Sequence, residues 1–448
     1  MTARRSFGLI NPAVPKVLDP GASIALLKTG TAEAGSLLGY GNGRSYGDSC
    51  LNGQGAVVDM RPMNRILAFD PVAGMIEAEA GVLLSEIIAY IAPHGFFPAV
   101  VPGTQFVTLG GAIANDIHGK NHHRRGTFGC HVEALTLLTS DGRIHRLKRC
   151  SKCRLFVATI GGMGLTGLIL SATVRLMRVP SLDIEEEITP FRGFDEYFDV
   201  AEAADDANEY AVAWTDQLAI GRREGRGLLI TGNHAEFGAR KASDARRWLG
   251  VPFGMPVCLL NRPFLKLFNS AYWCTKSKAL GKHKTAYQGF FFPLDGVADW
   301  NRLYGPKGLY QHQSVFPNGE ARKTVPALLA AAREAGHASF LTVLKRFGGV
   351  ASPGLISFPR SGYTLTLDFP NRGADTLALL ERLDRITVEF GGAVNPYKDA
   401  RMAPEVFAAS FPTWRDLEMH RDPAFLSDFW RRTAIRLSTE AGSGLAAE

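Results

Sequence analysis

The first third of the chain carries hydrophobic residues at the spacings of both strands and helices. Short apolar stretches at residues 56–60 and 76–80 predict two strands. Residues 84–91 place Leu and Ile at positions i, i+3, i+4 and i+7, which predicts an amphipathic helix. Residues 134–139 and 144–147 flank a Ser-Asp-Gly turn and predict a β-hairpin. Short strands with few long helices indicate an α+β unit.

The pattern changes beyond about Val179, where strands and aromatic residues become more frequent. A stripe of Leu, Ile and Phe between Leu379 and Phe390 predicts a helix, which Gly391 ends. This part of the chain therefore predicts an antiparallel sheet covered by helices. The strands predicted here, with the one that precedes them, cover residues 168–177, 211–215, 288–292, 308–316, 339–345 and 363–369.

The last of these strands alternates between apolar and polar residues. Its odd-numbered residues, from Tyr363 to Phe369, are apolar and fall on one face. Its even-numbered residues, Thr364, Thr366 and Asp368, fall on the opposite face. A polar face of this kind suits the wall of a pocket.

Three glycine-rich segments interrupt the first unit, at residues 39–48, 102–123 and 161–167. Glycine lets the backbone approach a ligand closely, so three such segments suggest a long dinucleotide lying against much of this unit. A Rossmann fingerprint needs a strand, a glycine loop and then a helix. The first segment has a different glycine spacing and leads into a strand, so we expect loops between strands to hold the nucleotide.

Length and composition narrow the class of protein. A chain of 448 residues predicts two domains, and its 46% hydrophobic and 21% charged residues are typical of a globular protein. The net charge of +7 suits an anionic ligand or membrane surface, but no dense Lys/Arg run predicts nucleic-acid binding. The sequence has no apolar run of a signal peptide or membrane span, which predicts a cytoplasmic protein.

One apolar region leaves two interpretations open. Residues 251–273 contain several prolines, which are expected to break any regular element. The region is either a buried loop or a mobile apolar flap for a lipid tail or bilayer surface. Its flanking cations would support the second interpretation, and they are Arg262, Lys266, Lys276 and Lys278.

Several motifs resemble the FAD-binding domain of the vanillyl-alcohol-oxidase/p-cresol-methylhydroxylase flavoproteins. They lie at residues 39–48, 109–123 and 158–167. Within that family, residues 116–123 (Asp-Ile-His-Gly-Lys-Asn-His-His) most resemble the flavin-dependent decaprenylphosphoryl-β-D-ribose 2′-oxidases. Later motifs with counterparts in that branch lie at residues 300–306, 310–313, 340–348, 368–370, 397–401 and 422–423.

The resemblance implies a fold of two domains. Residues 1–180 would form an FAD-binding domain of two subdomains, and residues 181–394 a substrate-binding domain. Residues 395–448 would fold back and complete the FAD-binding domain.

The resemblance also implies how FAD is held. The first glycine segment would wrap the pyrophosphate, the second would line the flavin, and Ile169 would contact the cofactor through its backbone. Tyr46 stands where many relatives carry a histidine bonded to the flavin, so FAD is expected to be non-covalent. The implied cofactor-binding residues are Gly39, Tyr40, Gly41, Asn42, Gly43, Arg44, Ser45, Tyr46, Gly47, Asp48, Ser49, Gly103, Thr108, Leu109, Gly110, Gly111, Asn115, Asp116, Ile117, His118, Ile169 and Asn395.

Two residues are candidates for the chemistry of alcohol oxidation. Lys398 matches the essential lysine of the family and would serve flavin and substrate together; otherwise it is a surface lysine in a turn. His118 is a candidate proton acceptor or flavin contact, and otherwise a structural histidine. His118, His122 and His123 do not predict a metal site, because their glycine loop offers no carboxylate or thiol partner.

The resemblance assigns substrate contacts to Trp214, Gln311, Gln313 and Lys345, with Lys345 suited to a phosphate. Thr364 and Thr366 join them from the polar strand face, and Lys398 from the turn. Thr366 stands where the family often has a cysteine near the flavin. Asn395 replaces a family tyrosine. The basic residues Lys120, Arg124 and Arg125 either help to bind a phosphate or form an exposed loop.

The resemblance implies an FAD-dependent oxidation of the 2′-hydroxyl of a polyprenyl-phosphoryl-β-D-ribose to a keto sugar. This is the first half of an epimerisation to arabinose for cell-wall or surface glycans, and an NAD(P)H-dependent short-chain reductase would complete it. The substrate class also implies a peripheral contact with the inner face of the cell membrane. The alternatives are a sugar-alcohol or aldonolactone oxidase with a soluble substrate, and a nucleotide-binding module without turnover.

Overall fold

The computed structural model describes residues 4–11, 14–29, 35–243, 249–278 and 281–445. Its helices are α1 (Pro20–Lys28), α2 (Leu84–Ile91), α3 (Leu109–Ala114), α4 (His122–Arg125), α5 (Arg154–Thr159), α6 (Phe194–Ala207), α7 (Arg262–Lys276), α8 (Tyr287–Phe291), α9 (Ala321–Glu334), α10 (Ala374–Glu389), α11 (Pro404–Ser410), α12 (Trp414–His420), α13 (Asp428–Trp430) and α14 (Arg436–Leu445). A π-turn, Arg431–Ile435, joins the last two.

The strands come mostly in short pieces. They are β1 (Lys16–Leu18), β2 (Leu37–Tyr40), β3 (Ala56–Asp59), β4 (Ile66–Asp70), β5 (Met75–Glu79), β6 (Phe96–Pro98), β7 (Val132–Leu138), β8 (Ile144–Lys148), β9 (Leu168–Arg178), β10 (Ile184–Phe191), β11 (Tyr210–Thr215), β12 (Gly227–His234), β13 (Leu249–Gly250), β14 (Lys282–Thr285), β15 (Val297–Ala298), β16 (Leu309–Phe316), β17 (Val343–Phe347), β18 (Gly362–Pro370) and β19 (Ala393–Val394).

Two sheets form the N-terminal part. A parallel sheet has the order β1-β3-β2, and the first glycine segment follows β2 without an intervening helix. An antiparallel sheet has the order β4-β5-β9-β7-β8, with β6 also paired to β9. The helix α2 packs against this part of the chain, and its buried residues belong to the hydrophobic core there. They are Leu84, Ile87, Ile88 and Ile91. The mixture of helices and sheets is the α+β class predicted from the sequence.

The second part is an antiparallel sheet in the order β14-β10-β12-β11-β17-β18-β16-β19. The helices α6, α9 and α10 cover one face of this sheet. Their apolar side chains pack there against four residues of β18, which are Tyr363, Leu365, Leu367 and Phe369. Both the covering helices and the alternation of β18 agree with the prediction. The polar face of β18 is left for the site described below.

The C-terminal segment packs against the N-terminal part of the chain. Trp414, Phe429 and Trp430 share an apolar cluster with Leu38 and Val57. The Leu37 N–H donates to the carbonyl of Ala424 at 2.7 Å. The domain boundaries given above stay a prediction, and these contacts describe how the chain returns to its first strands.

Most predicted elements are present, but two strands were predicted incorrectly. Residues 288–292 lie mainly in the helix α8. Its Tyr287, Phe290 and Phe291 are all buried, which is the i, i+3, i+4 spacing of a helix face. Only the end of the predicted strand 339–345 belongs to β17. Before β17, the Ser339 N–H donates to the side chain of Gln217 at 3.1 Å and not to a neighbouring strand of the sheet.

Residues 251–273 were expected to contain no regular element, and this prediction was wrong. Proline does not prevent a helix here, because Pro263 stands in the first turn of α7, where a missing N–H costs no hydrogen bond. Asn261 caps this helix by accepting from the Phe264 N–H at 3.1 Å. The region is also not a buried loop, since Phe253 and Leu267 are 63% and 72% exposed.

Candidate active site

A cavity of about 630 Å³ is lined by residues of both parts of the chain, a size within the range of ligand-binding pockets. All three glycine-rich segments reach it. The predicted site residues that line it are Gly39, Tyr40, Gly41, Asn42, Gly43, Arg44, Ser45, Tyr46, Ser49, Gly103, Thr108, Gly110, Gly111, Asn115, Asp116, Ile117, His118, Ile169, Trp214, Gln311, Lys345, Thr366, Asn395 and Lys398.

Five predicted residues do not line the cavity but support those that do. Gly47 packs on the backbone of Asp399, and Asp48 forms an ion pair with Arg432 at 2.8 Å. Leu109 is wholly buried in the N-terminal core. Gln313 and Thr364 lie one layer behind the wall, where the Gln313 amide donates to the Thr364 hydroxyl at 3.0 Å.

The first glycine segment is held open towards the cavity. The carbonyl of Ser45 accepts from the Phe7 N–H at 2.7 Å, and the Asn42 amide donates to the carbonyl of Phe106 at 2.7 Å. A Cβ on Gly41 would lie 2.4 Å from the Thr108 hydroxyl, so the loop and the start of α3 meet only because this residue is glycine. Gly103 lines the cavity with no atom near its Cβ direction within 4 Å.

Among the residues that the structure describes, three lysines line the cavity, and burial lowers the pKa of each. Burial lowers the pKa of Lys345 to about 7, with the charges of Lys398 and Lys120 acting in the same direction. Burial lowers the pKa of Lys120 to about 8, and its ammonium lies 4.2 Å from the ring centre of Phe290. This cluster of weakly compensated cations favours an anionic ligand.

Lys398 lines the cavity, and the buried carboxylate of Asp368 acts on its charge. Burial lowers the pKa of Lys398 to about 8, and the charge of Asp368 opposes that shift. Burial raises the pKa of Asp368 to about 7 against the effects of Gln311 and Lys398. The Lys398 nitrogen is 5.7 Å from the ring centre of Tyr46, whose hydroxyl stays neutral because burial raises its pKa well above the ordinary value. Lys398 is therefore not a surface lysine.

A directed series of amide hydrogen bonds ends at His118. The Tyr397 N–H donates to Oδ1 of Asn395, which leaves Nδ2 of Asn395 to donate to Oε1 of Gln313 at 2.9 Å. Nε2 of Gln313 then lies 3.2 Å from Nε2 of His118. This nitrogen must accept, so the neutral imidazole carries its proton on Nδ1. Burial, with Lys345 and Lys398 nearby, lowers the pKa of His118 well below the ordinary value.

The other basic residues of the second glycine segment turn away from the cavity. Arg124 donates to the carbonyl of Asn208 at 2.8 Å, and Arg125 forms a two-bond ion pair with Glu209. His123 contacts the carbonyl of Asn208 at 3.0 Å, and His122 is buried against the ring of Phe347. Of the three basic residues considered for a phosphate, only Lys120 reaches the cavity. Among the described residues, no cluster of His, Cys, Asp and Glu could hold a metal ion.

Several lining residues were not among the predicted site residues. Phe268 and Tyr272 of α7 belong to a region whose prolines obscured its helix, although their spacing of four residues was visible. The other aromatic and acidic lining residues missed are Phe7, Phe106, Phe291, Asp295, Asp299, Trp300, Phe340, Phe358 and Tyr397. Asp368 does not line the cavity itself, and nothing in the sequence linked its charge to Lys398.

Comparison with known proteins identifies the kind of site. A sequence model described as an FAD binding domain matches residues 19–148. The chain is 35% identical to decaprenylphosphoryl-β-D-ribose oxidase of Mycolicibacterium smegmatis, over 96% of each protein. The chain belongs to this family of FAD-dependent oxidoreductases. It is therefore an enzyme that uses FAD and oxidises a CH–OH group.

Other flavin enzymes match a smaller share of this FAD-dependent oxidoreductase. L-gulonolactone oxidase of Bos taurus is 32% identical over 34% of the chain and 33% of its own length. Cytokinin dehydrogenase 7 of Oryza sativa is 31% identical over 40% of the chain and 36% of its own length.

The lining residues fit FAD. The glycine segments leave backbone open to the cavity, as Gly103 does, and the lysines supply positive charge for anionic groups. The helices that the structure describes include none long and apolar enough to cross a membrane.

Proposed function

We propose that this enzyme oxidises the 2′-hydroxyl of a polyprenyl-phosphoryl-β-D-ribose to the 2′-keto sugar. The observation that carries the proposal is the clustering of Lys120, Lys345 and Lys398 along one cavity that the glycine segments also line. The similarity over the full length of a decaprenylphosphoryl-β-D-ribose oxidase supports the same substrate class.

The reaction removes two hydrogens from a secondary alcohol. The C–H bond at C2′ breaks with its electron pair, the O–H bond loses a proton, and a C=O bond forms. When bound in the cavity that the glycine segments line, FAD would supply the acceptor for this hydride, and oxygen or a quinone would take the two electrons in the end. The protein must hold the substrate carbon in place and receive the hydroxyl proton.

Lys398 is the residue best suited to receive that proton. With a pKa of about 8, a useful fraction of its amine is neutral near neutral pH, and protonation makes it an ammonium. That new positive charge would compensate the negative charge that hydride transfer leaves in the site. The charge of the buried Asp368 would stabilise the ammonium.

His118 takes a different role in this proposal. Its Nε2 is occupied by the Gln313 amide, so its Nδ1–H would donate a hydrogen bond to the cofactor or to the substrate oxygen. We therefore propose His118 as an orienting donor rather than the proton acceptor. Thr366 and Gln311 complete the wall, and Lys345 with Lys120 would bind the substrate phosphate.

The cofactor is proposed to be non-covalent, because Tyr46 lines the cavity at the family's position for a linked histidine. Denaturing the holoenzyme in acid is expected to release free FAD into solution. Flavin that stays with the precipitated protein would contradict this part of the proposal.

The proposed product needs a second enzyme. A 2′-keto sugar becomes the arabinose epimer only by reduction from the opposite face, so an NAD(P)H-dependent short-chain reductase is the proposed partner. The proposed location is cytoplasmic, with peripheral contact at the inner face of the membrane that holds the lipid substrate.

Anaerobic mixing tests the substrate class. Polyprenyl-phosphoryl ribose is expected to bleach the flavin absorbance, whereas free alditols and aldonolactones are not. Bleaching by the soluble compounds alone would favour the alternative of a soluble-substrate oxidase. No bleaching by any of them would contradict the proposed substrate and its soluble alternative alike.

A further inference from the structure

An aromatic series runs along one side of α7. Phe264, Phe268 and Tyr272 follow one another at intervals of four residues, which places them on one helix face. Their rings stack, with centroids 6.2 Å and 6.0 Å apart and interplanar angles of 19° and 12°. The ring of Tyr272 then meets Trp214 of β11 at 4.9 Å.

This series begins at the surface and ends in the cavity. Phe264 and Leu267 are 47% and 72% exposed. Phe268, Tyr272 and Trp214 line the cavity itself. The series therefore makes a continuous apolar path from the cavity to the outside.

The neighbouring face of α7, about 100° around the helix from the aromatic series, holds the helix in place. Leu265 is wholly buried, and the Asn269 amide donates to the carboxylate of Asp216 at 2.8 Å. Arg226 lies 5.4 Å from the ring centre of Trp273. These contacts hold α7 in an orientation that leaves Phe264 and Leu267 exposed.

The inner end of the path lies next to the cations that suit a phosphate. Trp214 pairs with Val343 in the sheet, and Lys345 lies two residues further along β17, where it also lines the cavity. A chain attached to a phosphate on Lys345 would leave the site past Trp214 and Tyr272.

We propose that the α7 series, Phe264, Leu267, Phe268 and Tyr272, binds the polyisoprenyl chain of the substrate between the cavity and the protein surface. This inference rests on the function proposed above. The stacked rings offer a wide apolar surface without a polar group that would need a partner, except the Tyr272 hydroxyl. Such a track selects a long apolar chain and not a short one.

The test compares two substrates that share the ribosyl phosphate and differ in chain length, decaprenyl and geranyl. The variant Phe264→Ser changes a residue of the series that does not line the cavity, and Leu267→Ser changes its most exposed member. Each is expected to lower the ratio of kcat/KM for the long to the short substrate by about tenfold. Met419→Ser removes a side chain that is 73% exposed on α12 and is expected to keep the wild-type ratio.

The assay is run in detergent micelles and again in lipid vesicles. An unchanged ratio in both variants would overturn the proposal that the α7 series binds the polyisoprenyl chain, and would leave the proposed function intact. A loss that occurs only in vesicles also overturns it, because the α7 face would then contact the bilayer rather than the single chain. If neither substrate bleaches the wild-type flavin, the proposed function is wrong, and the proposed role of the α7 series is wrong as well.

Discussion

Gln311, which lines the cavity, donates a hydrogen bond of 2.5 Å from Nε2 to Oδ1 of Asp368. The other oxygen of this carboxylate is buried and accepts no hydrogen bond from the part of the chain that the structure describes. A carboxylate held in this way costs free energy unless a cation compensates it, and Lys398 is the cation that acts on it. The pair couples the strand β18 to the turn after β19.

Removing the Lys398 amine is expected to stop chemistry without removing the cofactor. Lys398→Ala should lower the rate of flavin bleaching by roughly 10² to 10⁴, the contribution of a positioned acid or base. The measurement is anaerobic stopped-flow absorbance on protein whose flavin content equals that of the wild type. Bleaching at the wild-type rate would remove Lys398 from the chemistry.

The Asp368→Asn variant tests how this charge tunes Lys398. Proton acceptance needs the neutral amine, so kcat/KM is expected to rise with pH and to level off above about 8. The carboxylate raises the pKa of Lys398, so its removal should move the rising limb to lower pH by roughly one unit. Asp299→Asn is the control, because Asp299 is an acidic residue that lines the cavity but pairs with Arg302. Equal profiles in both variants and the wild type would exclude the coupling.

The pKa of Lys345 predicts how the stability of the flavin-free protein depends on pH. A lysine with a pKa of about 7 when folded and about 10.4 when unfolded binds fewer protons in the folded state between these values. The free energy of unfolding should therefore rise with pH above 7. Lys345→Met lacks this contribution, so its melting temperature should exceed the wild-type value at pH 7 by about 2 °C. The gap should narrow as the pH rises from 7 towards the unfolded pKa of about 10.4, and a constant gap would contradict the prediction.

Gly47 tests the support behind the first glycine segment. A Cβ at this position would lie 1.6 Å from the carbonyl oxygen of Asp399, next to Lys398. We expect Gly47→Ala to displace that turn, with loss of most bound flavin and a lower melting temperature. Gly319→Ala is the matched control, because its Cβ would meet no atom within 4 Å and Gly319 does not line the cavity. Full flavin content in Gly47→Ala would show that the contact is not needed.

The sequence predicted the parts of the site that depend on local signals. Glycine content marks where the backbone meets a ligand, and Gly41 and Gly103 do line the cavity. The alternation along residues 363–369 predicted which face of β18 carries polar groups. Both signals lie within a few neighbouring residues, so they can be recognised in the sequence without knowledge of the tertiary fold.

The relations between distant residues could not be predicted in the same way. The series from Asn395 through Gln313 to His118 depends on β19 pairing with β16, with Ser314 opposite Val394. The pairing of Asp368 with Lys398 depends on the same sheet edge. Two errors have a local cause instead, since the helical spacing of residues 287–291 and of α7 was present but was outweighed by β-forming aromatics and by proline.

Isotopic substitution at the sugar tests the central claim most directly. Polyprenyl-phosphoryl ribose carrying deuterium at C2′ is expected to bleach the flavin several-fold more slowly than the unlabelled substrate under anaerobic conditions. Deuterium at C3′ should leave the rate unchanged, because only the C2′–H bond breaks in the proposed reaction. An isotope effect at C3′, or bleaching that responds to neither label and yields no 2′-keto sugar, would contradict the account.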